Sequence, residues 1–158
     1  KNFVKSKYAI AVNSGTAALE AAIYSLNLKK GDEVILPSFT FVASANAIVS
    51  TGAKPVFADI DRESFTISEK SIKQKITKRT KAIMPVHLYG HIANISAIKE
   101  IAKKNNLYVV EDAAQSLGST LKGKHSGTFF DAGCYSLYPG KVMTSGEGGI
   151  VVTNNKKI

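Results

Sequence analysis

Hydrophobic positions along the chain follow two patterns that alternate from one end to the other. Short runs of consecutive apolar residues predict buried strands, whereas apolar residues spaced three or four positions apart predict helices that pack by one face. The predicted strands are 8–12, 34–36, 56–58, 82–86, 107–110, 132–137 and 149–152, and the predicted helices are 16–28, 41–50, 68–76 and 95–104. This alternation predicts an α/β fold built from βα units around a mainly parallel sheet.

Length and composition fit a single cytoplasmic domain spanning residues 1–158. The 158 residues are 44% hydrophobic, enough for one core. No apolar stretch approaches the roughly 20 residues of a membrane helix, and the first residues lack the apolar centre of a signal peptide. The single cysteine, Cys134, excludes an internal disulfide framework and fits a reducing compartment. Both ends of the sequence lie close to a predicted strand, so we expect a piece of a larger protein.

The formal charge of +9 raises the question of an anionic partner. Arg62 and Arg79 are the only arginines, and the lysines are scattered over predicted helix surfaces and turns. Nucleic-acid-binding proteins concentrate basic residues on one face. The distribution therefore predicts a solvated lysine-rich surface and no nucleic-acid partner, and it tolerates a nucleotide diphosphate as substrate.

The segment Ser14-Gly15-Thr16-Ala17 lies between the first predicted strand and the first predicted helix. The free N–H groups and the dipole of a helix start favour an anion, and small residues let a phosphate approach the backbone. The same residues also fit an ordinary helix cap. The segment matches neither a Walker loop nor a dinucleotide-binding fingerprint.

Asp112 follows an apolar strand, which predicts a position at the carboxyl edge of the sheet, where α/β folds bind ligands. A carboxylate there can pair with the protonated ring nitrogen of a cofactor and maintain it as an electron sink. Helix capping and metal binding are the alternatives, but the chain lacks His or Asp partners at ligand spacing, so no metal site is predicted. The neighbouring Glu111 is expected to face away from the site.

Lys141 lies on a loop bounded by Pro139-Gly140 and by the glycines of 146–149. A lysine amine forms an imine with an aldehyde when it is unprotonated near neutral pH; the alternative is a surface lysine after a turn. Phe41 either stacks on a flat ring or packs in the core. Together with Asp112 and an anion-binding helix start, Lys141 suggests pyridoxal phosphate (PLP).

Five motifs occur in order along the chain, at 12–19, 37–48, 85–90, 111–116 and 136–149. Together they resemble the DegT/DnrJ/EryC1/StrS family of nucleotide-sugar aminotransferases, which belong to fold type I of the PLP-dependent enzymes. The resemblance implies a three-layer αβα sandwich with a mainly parallel mixed sheet. It also implies that residues 1–158 are the PLP-binding large domain, without the N-terminal segment and C-terminal small domain of complete members.

The resemblance assigns site residues by position. Lys141 is similar to the imine-forming lysine, and Asp112 to the partner of the pyridine nitrogen. The implied cofactor-binding set is Gly15, Thr16 and Ala17 at the phosphate, Ser136 as a second phosphate hydroxyl, Phe41 on the ring face, Gln115 beside the ring, and Asp112 and Lys141 themselves.

The implied reaction moves an amino group from an amino acid, glutamate or glutamine, to a keto-sugar nucleotide. The implied assembly is a homodimer whose subunits share the active site. Some family members carry histidine in place of the lysine and are dehydratases; Lys141 favours transamination. A non-catalytic regulatory protein that retains the fold is the third alternative.

Overall fold

The computed structural model describes all residues from 1 to 158. Its helices are α1 (Gly15–Tyr24), α2 (Ala43–Val49), α3 (Glu69–Lys75) and α4 (Ile95–Asn105), with a short 3-10 helix at Leu88–Gly90. Its strands are β1 (Tyr8–Val12), β2 (Glu33–Pro37), β3 (Lys54–Ala58), β4 (Thr80–Ile83), β5 (Tyr108–Asp112), β6 (Thr120–Leu121), β7 (Lys124–His125), β8 (Ala132–Ser136) and β9 (Gly149–Thr153). Not one helix combines the length and apolar character needed to cross a bilayer.

A sheet of seven strands in the order β1-β9-β8-β5-β4-β2-β3 forms the centre of the fold. The five strands from β8 to β3 are mutually parallel, and β9 is antiparallel to both of its neighbours. β1 therefore runs in the same direction as β8. The carboxyl ends of β1, β2, β4, β5 and β8 consequently meet at one edge of the sheet. The predicted mainly parallel mixed sheet is confirmed.

Helices cover both faces of this sheet because successive side chains of a strand point to opposite faces. Val34 and Leu36 of β2 pack in one cluster with α1 and α2. Ile35, between them, packs with α3 and α4 on the other face. The fold is thus the three-layer αβα sandwich that the resemblance implied.

Most element boundaries differ from the sequence-based prediction by a few residues, and three differences have a clear physical reason. α1 ends at Tyr24 rather than at 28, and a turn with Asn27 at a φ of 52° follows. β3 begins at Lys54 and includes Pro55, where a break was expected; its place at the edge of the sheet tolerates a residue without an N–H. The β6–β7 hairpin was not predicted, because strands of two residues leave no periodic pattern.

Glu111 is fully buried and faces away from the carboxyl-edge cavity described below, as predicted. Its carboxylate accepts hydrogen bonds from the backbone N–H groups of Gly127 (2.6 Å), Phe129 (2.7 Å) and Phe130 (3.0 Å). It also lies 3.0 Å from His87 Nε2, while His87 Nδ1 accepts from the N–H of Ala93. Since Nδ1 is an acceptor, the hydrogen-bond network places the ring proton on Nε2, which donates to Glu111. His87 is therefore buried, and its side chain does not line the cavity.

Replacing Glu111 with alanine should lower the free energy of unfolding by about 3 kcal/mol or more. The change leaves one buried and two half-buried N–H groups, and a buried imidazole, without their acceptor. Urea denaturation followed by circular dichroism measures the loss. The control is Glu100→Ala, at an exposed acid on α4, which should stay within about 0.5 kcal/mol of the parent protein. Similar values for the two variants would contradict the structural role of Glu111.

Candidate active site

The carboxyl edge of the sheet contains a cavity of about 470 Å³. It lies where α/β sheets bind their ligands. Seven of the eight residues predicted to bind a cofactor line it, namely Gly15, Thr16, Phe41, Asp112, Gln115, Ser136 and Lys141. Ala17 is the exception, since it does not line the cavity. Residues distributed over the whole chain are thus brought into one space, although their roles stay predictions.

The first turn of α1 forms one wall of the cavity. Ser14 caps the helix, and its hydroxyl accepts the N–H of Ala17 at 3.1 Å. That bond occupies the N–H through which Ala17 would contact a phosphate, while Gly15 and Thr16 face the cavity. A Cβ added at Gly15 would lie 2.6 Å from the Cβ of Ser136, so glycine is what lets the Ser136 hydroxyl lie against the helix start. The result is a small, donor-rich recess suited to an anion.

Asp112 forms the floor of the cavity and is only 5% exposed. Its Oδ2 accepts from the Ser44 hydroxyl at 2.7 Å, and its Oδ1 from the N–H of Ala114 at 3.1 Å. Burial raises the pKa of the Asp112 carboxyl, and the Ser44 hydrogen bond opposes that rise. A cationic group entering the cavity would lower this pKa and pair with the carboxylate.

Lys141 lies on the loop between β8 and β9 and is half-buried. The loop has a defined path because its base is closed by backbone hydrogen bonds from Leu137 to Gly148 (2.9 Å) and from Ser145 to Leu137 (3.1 Å). The N–H of Lys141 itself donates to the Tyr138 carbonyl at 2.9 Å. A lysine amine and a buried carboxylate therefore line the same cavity.

Two other predicted residues line the cavity from different loops. Phe41 precedes α2 and is 66% exposed, so its ring is not part of the core. The side-chain carbonyl of Gln115 accepts the N–H of Tyr89 at 3.0 Å, which orients its amide at the cavity wall. An aromatic face and an amide are thus available to a flat ring held between Asp112 and the entrance.

Sequence reasoning missed several lining residues, including Thr40, Tyr138 and Glu147. Thr40 lies in the bend before α2, so no helical spacing indicated its contact with Ser44. Tyr138 and Glu147 belong to an irregular loop and carried no periodic signal.

Cys134 and the ionisable groups near it indicate no other chemistry. The thiol is buried in the core, and burial raises its pKa well above the ordinary range, so it is held protonated. No group of three or more His, Cys, Asp or Glu side chains is placed to hold a metal ion.

The residues present fit PLP. The recess formed by the start of α1 and Ser136 suits a phosphate, since glycine at position 15 leaves room for the Ser136 side chain, and the buried Asp112 suits a protonated ring nitrogen. Lys141 supplies a primary amine in the same cavity. The fold and the cavity are those of an α/β protein and agree with the fold type I architecture that the resemblance implied.

Comparison with known proteins gives the family. The model of the DegT/DnrJ/EryC1/StrS aminotransferase family matches residues 1–158, and the chain belongs to this family. It is 51% identical to the GDP-perosamine synthase of Escherichia coli O157:H7 over 152 residues, which are 96% of this chain and 42% of that protein. The chain thus spans about two fifths of the length of such relatives.

Solved structures agree with the fold. The aminotransferase from Psychrobacter cryohalolentis superposes with a TM-score of 0.96 at 43% identity, over 99% of this chain and 40% of that one. The NtdA protein of Bacillus subtilis, solved with its bound cofactor PMP (the amino form of PLP), has a TM-score of 0.91 at 37% identity, over 99% of this chain and 35% of its own.

Proposed function

We propose that residues 1–158 form the cofactor-binding large domain of a PLP-dependent aminotransferase. In this proposal the complete protein moves an amino group from an amino acid, glutamate or glutamine, to a keto-sugar nucleotide. The observation that carries the proposal is one cavity lined by Lys141, Asp112 and the start of α1. The membership of an aminotransferase family and the similarity to the aminotransferase from Psychrobacter cryohalolentis support the same reaction.

In this proposal the residues that line the cavity contact different parts of the cofactor. Gly15, Thr16 and Ser136 hold the phosphate at the helix start, where backbone N–H groups and hydroxyls converge. Phe41 covers one face of the ring, and Gln115 contacts its edge. Asp112 pairs with the ring nitrogen from the buried side. These contacts fix the position of the reacting carbon relative to Lys141.

When bound, PLP supplies an electron sink that stabilises negative charge on the carbon attached to the amino nitrogen. Asp112 keeps the ring nitrogen protonated, because a buried carboxylate pairs strongly with a cation in the same low-dielectric space. The amine of Lys141 would act as general base towards the proton on the substrate carbon and then as general acid. The same residue would serve in the reverse order when the keto sugar is the acceptor.

The homodimer is part of the proposal, because the cavity entrance is apolar and open. Phe41, Tyr138, Val142 and Met143 are between 54% and 77% exposed on loops at or next to the cavity. Large exposed apolar side chains grouped around a site are typical of surfaces that another protein covers. A second subunit that covers them would exclude water from the proton-transfer step.

Product analysis with the full-length protein tests the reaction. The protein is incubated with ¹⁵N-labelled glutamate or glutamine and with GDP- and UDP-linked keto sugars, and products are read by mass spectrometry. Aminotransfer places ¹⁵N in the sugar. A dehydratase of the same family would instead remove a hydroxyl without incorporating nitrogen. A regulatory protein would leave every sugar unchanged, and that result would refute the proposal.

A further inference from the structure

Asp112 is the end of a chain of hydroxyl groups that begins at the cavity wall. The Oγ1 of Thr40, which lines the cavity, lies 2.8 Å from Ser44 Oγ, and Ser44 Oγ lies 2.7 Å from Asp112 Oδ2. A hydroxyl has one proton, and a carboxylate only accepts. Ser44 therefore donates to Asp112 and accepts from Thr40. The direction of both hydrogen bonds is fixed.

The hydroxyl of Ser44 makes no hydrogen bonds apart from those with Thr40 and Asp112. The residue is fully buried, and its side chain makes no hydrogen bond to the helix backbone. A buried hydroxyl without a partner would be costly, and a smaller apolar residue would fit a helix better. Its position is therefore explained by Asp112.

The two hydrogen bonds to Asp112 act on different oxygens. Ser44 holds Oδ2, and the N–H of Ala114 holds Oδ1. A carboxylate bonded at both oxygens cannot rotate freely, so its plane is set before a ligand arrives. Donation by Thr40 polarises the Ser44 hydroxyl and strengthens its bond to the carboxylate.

We propose that Ser44, supported by Thr40, is a positioning residue that orients Asp112 and stabilises its charged form for the ring nitrogen of the cofactor. The inference rests on the proposed function, since it concerns how the same cavity binds PLP. It agrees with the opposing effects on Asp112, where burial raises the pKa and the Ser44 hydrogen bond lowers it; the Ala114 N–H and the nearby charge of Lys141 also lower this pKa.

Binding of two ligands to the full-length protein tests the inference. The ligands are PMP and its 1-deaza analogue, in which a carbon replaces the ring nitrogen, and calorimetry gives both dissociation constants. Ser44→Ala should weaken PMP binding about 30-fold, the size expected for a hydrogen bond to a charged group. The same variant should change binding of the analogue less than about twofold, because the analogue has no nitrogen for Asp112 to pair with. Thr40→Val should weaken PMP binding by a smaller factor, about threefold.

Matched variants identify the cause. Ser50→Ala removes an exposed hydroxyl at the end of the same helix, where it bonds the Ala47 carbonyl, and should leave both dissociation constants unchanged. Ser44→Thr keeps the hydroxyl and should recover most of the PMP affinity. In an Asp112→Asn background, Ser44→Ala should add little further loss.

The inference is overturned if Ser44→Ala weakens both ligands equally, since that is the effect of a merely structural residue, or if it weakens neither. Failure of the unmodified protein to bind either ligand would instead refute the proposed function itself. Thermal melting of each variant shows that the comparison is made on folded protein.

Discussion

Replacing Lys141 with alanine should reduce aminotransfer by about 10⁴-fold or more, while the protein stays folded. The variant loses the amine that moves the proton between substrate and cofactor. Lys141 is the one lysine among the residues that line the cavity, so no other amine can replace it. Lys141 is half-buried on a loop and supports no strand or helix, so the loss should be confined to chemistry. Turnover with a ¹⁵N-labelled amino donor measures it.

Borohydride reduction gives an independent readout for Lys141. Reduction of the PLP-loaded full-length protein, followed by digestion and mass spectrometry, should find the cofactor attached to the peptide that contains residue 141. The control is Lys99→Ala, an exposed lysine on α4, which should retain both turnover and labelling. Attachment of the cofactor to a different lysine would overturn the assignment.

Replacing Asp112 with asparagine should lower turnover by about a thousandfold, the size expected when one strong electrostatic partner of the reacting system is removed. Asparagine has nearly the same shape, and its amide oxygen can still accept one of the two hydrogen bonds that Asp112 accepts now. The negative charge is lost, so the ring nitrogen is no longer kept protonated. Turnover and PMP affinity should therefore fall together.

Glu63→Gln is the control for Asp112→Asn, because it neutralises an exposed acid that does not line the cavity and should change neither quantity. Normal turnover in Asp112→Asn would show that the carboxylate does not pair with the reacting cofactor. The cavity would then need a different explanation for a carboxyl group that is 5% exposed.

The sequence was sufficient to predict the layers of the fold, because each strand is a nearly continuous apolar run and each helix has one apolar face. Parallel strands place their carboxyl ends together, so Asp112 at the end of β5 and Ser136 at the end of β8 had to approach the start of α1. This topological necessity is why seven predicted residues line one cavity.

Contacts between side chains from distant segments were not predictable in the same way. The pairing of His87 with Glu111 and of Ser44 with Asp112 depends on which residues become opposed when strands and helices pack. A contact between residues close in sequence, at Ala17, was equally unpredictable. Its backbone was predicted to contact a phosphate, but whether its N–H is free depends on the rotamer of Ser14, which takes that N–H for the helix cap.

Glu111 and Asp112, the last two residues of β5, point to opposite faces of the sheet and have different roles. Glu111 stabilises the buried loop on one side, and Asp112 meets the cavity on the other. Because the side-chain period of a strand is two, loss or gain of one residue in β5 would exchange the two faces. The active site is therefore encoded by strand register as much as by residue type: a search for related enzymes should weigh a one-residue gap at this strand more heavily than a conservative substitution there.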